Sequence, residues 1–336
     1  MYRKKKLVRL AGLLIVSGLI LSIIGFVSGG NKDILWKDGK LTIGNSEKVQ
    51  VNRDLDKFTD MDLNLSFSDI EVIKSDKYAI ELNYFGDVND IEFKVENEKL
   101  IVTDEGKSGL RFNINLNLSA SDSIVKVYVP QDAEFNNLNI SSSSGSIKLN
   151  EINSKKTNLS CDFGNVNIEN LTSDSIEIEA KSGKVKGKNI KAKDFISKSD
   201  FGDIVLENVE TELMKTNAKS GEVSLNNVVT DKFISESDFG GIKGVKIDSN
   251  ELLVVAKSGD INLDGTFRGS NVIKNNFGDT TIKTALPKND YSYNIDMSFG
   301  SCNIDGKKFD GDYKNENNSA SNKFEVECKS GDFKLE

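Results

Sequence analysis

The chain of 336 residues has no histidine, two prolines, three cysteines and one tryptophan. Without histidine it lacks the commonest general base, the commonest metal ligand and the usual serine or cysteine triad, which weighs against enzymes of those kinds. Pro130 and Pro287 stand alone, so no Pro-rich linker is present. Gly, Ser, Asn and Asp recur at turn-like intervals instead, as in an ordered chain rather than a disordered polymer. Cys161, Cys302 and Cys328 are odd in number and include no C-x-x-C pair. That argues against a zinc knuckle or a disulfide framework and for small buried side chains. Nor is there a large excess of one charge. The 44 Lys and Arg are interspersed with 52 Asp and Glu for a net charge of −8, which argues against nucleic acid as partner.

The one long uncharged stretch is Leu10 to Val27, 18 residues rich in Leu, Ile, Val, Ala and Gly. As a helix it would span about 27 Å, close to the thickness of a bilayer core. Arg3, Lys4, Lys5, Lys6 and Arg9 precede it, whereas Lys32, Asp33, Lys37 and Asp38 after it nearly cancel. The positive-inside rule then predicts a single-pass cell-membrane protein with a cytoplasmic N-terminus and everything after about residue 30 extracytoplasmic. A cleaved signal peptide is the competing reading, but apolar signal cores run about 7–15 residues and no clean small-x-small site follows. No cysteine stands just after the stretch to take a lipid. The expected organisation is a basic tail and anchor over 1–30, an irregular β region over 31–140 and a repeat region over 141–336.

The repeat dominates the chain. Gly145, Gly164, Gly183, Gly202, Gly221, Gly240, Gly259 and Gly278 follow one another at a constant interval of 19. Each opens a short alternating stretch, such as SIKLN, NVNIEN, DIVLEN or EVSLNN, whose second and usually fourth residues are apolar. That is the pattern of half-buried strands. A unit of that length with two or so short strands cannot bury its apolar face alone, so neighbouring units must stack. The predicted fold is all-β, a parallel β-solenoid of β-helix type with about 19 residues per coil. Seven intervals would extend it by about 34 Å. The glycines are expected to be structural, supplying a positive φ at the corner where a β-carbon would clash.

The residues before the glycines alternate: Lys181-Ser182, Asp200-Phe201, Lys219-Ser220, Asp238-Phe239, Lys257-Ser258. A coil of one glycine interval places every Lys between two Asp and every Phe beside small Ser, whereas a coil of two intervals would stack like charge on like. Cys161 and Cys328 stand three residues before Gly164 and Gly331, and Cys302 two after Gly300, all at inward positions. From Lys40 to Asn139 strand-like alternation continues with weaker periodicity, either as the same architecture with longer corners or as a small separate β domain. Beyond Gly278 the spacing grows to 22 and then 31, and an Asn-, Ser- and Lys-rich insertion from Gly311 to Lys323 is expected to loop out. The last strand ends at Glu336 without a polar cap, which suggests self-association through an open solenoid end.

A basic N-terminus, one apolar stretch, a strand such as VKVYVP and repeated SG-[D/E]-[I/V]-x-[L/I] and FG-D-I units resemble the bacterial putative-adhesin family of unknown function, which includes LiaG- and YvlB-like proteins. The resemblance covers about residues 50–336 and implies a solenoid in a cell-envelope setting, where members are often encoded near envelope-stress regulators. Its motifs are structural, so they speak to fold and not to activity.

The expected function is a non-enzymatic, membrane-anchored binding or scaffold module, with a cell-wall polymer or an envelope protein as partner and no cofactor. No aromatic stripe or patch of one charge marks a binding face in the sequence. Two other readings stand beside it. One is an accessory to envelope-stress signalling acting through the helix or the tail MYRKKK. The other is a polysaccharide lyase or hydrolase using Asp162, Asp200 and Asp238, although their alternation with Lys is that of a structural charge ladder. The Ca²⁺-binding nonapeptide G-G-x-G-x-D is absent, so no metal is expected.

Overall fold

The computed structural model describes residues 14, 15, 17, 18, 20, 21, 33–37, 40–44, 47–86, 89–104, 111–112, 123–317 and 319–336. The expected anchor, 10–27, lies mostly outside these residues; those described within it are helical, and no helix among the described residues is long and apolar enough to cross a membrane. The chain divides into two compact units. The smaller contains an antiparallel three-stranded sheet of Asp33–Lys37, Lys40–Gly44 and Arg111–Phe112. The larger comprises Gln50–Tyr84, Ile91–Asp104 and Asp122–Glu336, and it is a parallel β-solenoid.

Its centre is seven strands of 17 residues, from Ile147–Phe163 through Ile204–Ser220 to Ile261–Phe277. Each pairs in parallel with the next at an offset of 19, as in Ile204 beside Val223, save for a local shift to 18 where Ile247–Ser249 meet Gly265–Phe267. One glycine interval is therefore one coil, the stacking unit. Val166, Val185, Ile204, Val223, Ile242 and Ile261 form one fully buried column, with about 4.8 Å between rungs. Each such side chain contributes about 1.5–3 kcal/mol by burial.

Within a coil the inward residues do not keep a single period of two. In Ile204–Ser220 they are Ile204 and Leu206, then Val209 and Thr211, then Met214, Thr216 and Ala218. The phase slips twice, so the coil has three sides rather than the two short strands expected. The first slip falls at a residue of positive φ: Glu151, Asn170, Asn189, Asn208, Asn227 and Lys246 in successive coils, with φ of 53–57°. Asparagine is favoured there because its short polar side chain tolerates the left-handed region. Asn189, Asn208 and Asn227 also donate from Nδ2 to Oδ1 of the Asn one coil earlier, each at 2.9 Å.

The eight glycines spaced by 19 occupy one column at another corner. A Cβ on Gly221 would overlap the carbonyl oxygen of Gly202, and the same collision recurs along the column, where Gly145 meets Ser68. Close approach of consecutive backbones is thus what demands glycine, in addition to positive φ as at Gly183 (+144°).

Both ends of the solenoid are interleaved. Glu134–Ser144 stacks on Ile147–Phe163 and takes Asp60–Leu65 on its other side. Asp69–Ser75 lies between Ile124–Pro130 and the start of Ile147–Phe163. Parallel coil pairing therefore reaches back to Asp60, across the expected boundary at residue 140. At the other end Asn322–Ser330 and Phe333–Leu335 insert between the coil of Ile261–Phe277 and Thr280–Thr284 and the outer strands Tyr291–Met297 and Ser301–Ile304. The order of glycines in space is Gly278, Gly331, Gly300.

The C-terminal strand is thus internal, and the expected open end at Glu336 does not exist. The insertion does not simply loop out either. Within it Tyr313–Asn315 pairs antiparallel with Tyr291–Met297, and just before it Lys307–Asp310 pairs antiparallel with Ser301–Ile304, so that both cover the outer strands. Short edge strands bearing Lys307, Lys308, Asp310 and Lys314 discourage further strand addition, so the basis for self-association through this end is removed. At the first coils Ala79–Gly86 pairs antiparallel with Ile124–Pro130, and the hairpin of Glu92–Glu96 with Lys99–Thr103 covers Asp60–Leu65 through a parallel pairing of Lys99–Thr103.

Replacing Gly221 with Val should lower the thermal unfolding midpoint and cost about 3 kcal/mol through strain and displacement of the Gly202 carbonyl. Circular dichroism melting checks this, and an unchanged midpoint would contradict the close-approach account.

Candidate functional site: an exposed phenylalanine edge

The position just before the glycine column carries the feature that the sequence reading overlooked. Phe67, Phe163, Phe201, Phe239, Phe277 and Phe299 all stand at this position, and each is 62–76% exposed. Ser144, Ser182, Ser220, Ser258 and Ser330 occupy the intervening rungs. Phe277 and Phe299 are consecutive phenylalanines of this series in sequence, and the inserted strand Asn322–Ser330 places Ser330 between them. The alternation is therefore unbroken over ten steps from Phe67 to Phe299, about 48 Å. Contrary to expectation, an aromatic stripe is present.

A period of two explains why it escaped notice. Cys161 points inward and Asp162 outward, so simple alternation would direct Phe163 inward; the turn at Gly164 directs it to solvent instead. The rings sit two rungs apart, about 9.6 Å. That exceeds the roughly 4.5–7 Å of stacked aromatics, so they do not support one another. Six exposed rings that add nothing to the core form a surface of the kind that marks an interaction site.

Beside the central rungs, from Asp162 to Lys257, the neighbouring column alternates in charge. Lys181, Lys219 and Lys257 reach the carboxylates of Asp162, Asp200 and Asp238 at 2.7, 2.7 and 2.8 Å. The ammonium pKa values of Lys181 and Lys219 are raised by these hydrogen bonds. Exposed pairs of this sort are screened by solvent and add little to stability. Asp162, Asp200 and Asp238, the acids weighed for polysaccharide cleavage, are thus each engaged by a lysine one coil away. Among the described residues no group of three or more Cys, Asp or Glu could hold a metal ion.

A second surface, a shallow groove of about 580 Å³, runs past Asp174, Lys193, Glu210, Thr230, Asp248 and Arg268. Most of its charges are matched within the chain, by Lys193 with Asp174 at 2.8 Å, Lys191 with Glu210 at 2.9 Å and Arg268 with Asp248. The three cysteines are buried as expected, and Cys161 donates from Sγ to the carbonyl of Gly145 at 3.2 Å. Burial pushes each thiol up to about 11.

These features define a parallel β-solenoid with one coil per glycine interval and a solvent-facing aromatic edge. The chain belongs to the Toastrack DUF4097 family, whose model matches residues 58–336. Solved structures to which the chain is similar include proteins described as putative adhesins. The crystal structure of a putative adhesin from Bacteroides fragilis is 14% identical, with 86% of this chain and 97% of that one covered and a TM-score of 0.39. One from Parabacteroides distasonis is 11% identical, with the same coverage and a TM-score of 0.35. A putative cell adhesion protein from Clostridium sporogenes is 14% identical, covers 86% and 99%, and has a TM-score of 0.20. No curated protein matches the chain.

The raised thiol pKa values carry a stability consequence. The folded state holds these protons more tightly than the unfolded chain, so the contribution is complete below the ordinary value of 9.0 and is lost as pH rises toward about 11. The melting temperature should fall across that window, and replacing all three cysteines with Ala should flatten the fall. Thiol reagents at pH 7 should label the folded chain far more slowly than the unfolded one.

Proposed function

We propose that the chain is a non-enzymatic cell-envelope binding module whose contact surface is the phenylalanine edge. The observation that carries this reading is the six exposed rings held in register along one corner of the solenoid. Exposed aromatic surface costs solubility and adds nothing to the core, and a partner that buries it gains about 1.5–3 kcal/mol per ring. The rigid stacking of coils holds the rings at fixed spacing, so the entropy of ordering them is already spent in folding. Ion pairing of the recurring acids supports a binding role over glycoside cleavage.

The same reading assigns the apolar stretch 10–27 as a membrane tether. The five basic residues before it support a cytoplasmic N-terminus and an extracytoplasmic solenoid. A cell-wall polymer or an envelope protein is the partner class at that location.

The test is retention of the full chain on isolated bacterial envelopes. The triple variant Phe163→Ser, Phe201→Ser, Phe239→Ser should keep its circular dichroism spectrum and bind at least about 100-fold more weakly. Equal binding by the variant would exclude the edge as the contact surface. Reducing sugar released from the envelopes would overturn the non-enzymatic reading.

A further inference from the structure

We infer that the partner the phenylalanine edge fits is a second copy of this chain, docked antiparallel and offset by one coil. The inference rests on the contact-surface reading above and names its occupant. The edge is self-complementary in shape. Rings alternate with serines along the column, so each gap between rings has a small side chain at its floor. A two-fold axis lying in the contact plane and perpendicular to the column sets one column over its copy, running the opposite way. With an offset of one coil, five of the six rings on each copy face serines of the other. A parallel pair closed by a two-fold axis admits no offset and would place every ring against its own counterpart, leaving the gaps empty.

The charges agree with the same offset. In the central rungs Asp162, Asp200 and Asp238 precede phenylalanines and Lys181, Lys219 and Lys257 precede serines, while Phe67, Phe277 and Phe299 follow uncharged residues. The arrangement that puts rings over serines therefore also puts each of these Asp over a Lys of the other copy. One offset satisfies both columns, which no even offset does. On the far side of the glycine the column is acidic. Lys184 at 2.9 Å and Lys243 at 2.6 Å neutralise Asp203 and Glu222, whereas Asp69, Asp260, Asp279 and Asp332 accept backbone N–H groups of the next coil, leaving a repulsion between copies that salt screens. At physiological ionic strength the net charge of −8 is screened beyond about 8 Å.

The area is sufficient. Six rings, each about two-thirds exposed, present about 800 Å² per copy, and a standard specific interface buries about 800 Å² per partner. Such an interface is isologous, so it closes at two copies and does not propagate into fibres. The antiparallel sense places the first coils of the two copies at opposite ends of the pair, an arrangement suited to joining two facing surfaces.

The experiment uses the full chain in lipid nanodiscs, one copy per disc, with disc pairing followed by mass photometry over a concentration series. The wild type should form pairs and the triple Phe→Ser variant should lose at least about 100-fold in pairing. The decisive variant is Ser182→Phe, Ser220→Phe, Ser258→Phe, which adds aromatic surface but fills the gaps. Interdigitation expects it to lose pairing, whereas nonspecific adhesion expects it to gain. Circular dichroism confirms that each variant is folded. Tighter pairing of the gap-filled variant, or pairing of the Phe→Ser variant, would overturn the inference. Wild-type discs that stay single would also overturn it, while loss of envelope binding on Phe→Ser would still uphold the contact-surface reading. Association of loaded discs with empty ones would point to a lipid surface as the occupant, and this too would refute a second copy.

Discussion

Everything in the solenoid depends on how closely one coil can lie on the next. Parallel strands must approach to about 4.8 Å along the whole coil for the backbone ladder to close. At the glycine corner this spacing leaves no room for a β-carbon, because the carbonyl of the preceding glycine occupies that volume. From Gly145 onward, wherever the corner recurs glycine recurs, and the constant interval follows from the circumference of one coil. The buried columns of Val, Ile and Leu supply the driving force, but they tolerate exchange among apolar types and even interruption by Gly187 and Gly244. The glycine column tolerates far less.

A stack held by such pairing has an inherent weakness at its two ends, where a strand would be left without a partner. Here both ends are closed by departures from simple winding. Segments distant in sequence are threaded into the last coils, and short antiparallel strands cover what remains. The threading also preserves the surface pattern. Ser330 reaches the rung between Phe277 and Phe299 only because the C-terminal strand inserts there. The aromatic alternation is thereby carried beyond the regular repeats, from Phe67 to Phe299. Maintenance of the pattern through two different chain threadings ties it to the outer surface, since the buried columns do not share it.

The exposed edge also gives a physical reason for pairing Asp with Lys on neighbouring rungs. A column of like charges beside the rings would repel along the stack and hydrate the contact surface heavily. Alternation keeps the central rungs of that flank, Asp162 to Lys257, balanced in charge. It likewise leaves the recurring acids without the freedom of a catalytic pair, so the regularity that suggested a site is better understood as maintenance of the stack.

Sequence alone determined the quantities set by local geometry and period. The spacing of Gly145 to Gly278 specified the coil, and alternating apolar residues specified strands with one buried side. The Lys/Asp alternation selected a coil of one glycine interval over a coil of two, because like charges cannot stack. Cys161, Cys302 and Cys328 were readable as buried from their place in the same register. The second corner was legible in principle, since Asn170, Asn189, Asn208 and Asn227 also recur at the glycine interval, but asparagine signals a turn less sharply than glycine. Only the tertiary structure decided the order Gly278, Gly331, Gly300 and the closure of both ends, because strand pairing across distant segments leaves no periodic trace. It alone decided that the phenylalanines face solvent, because a corner reverses the inside-to-outside alternation at a single residue, and no pattern of period two can register that reversal.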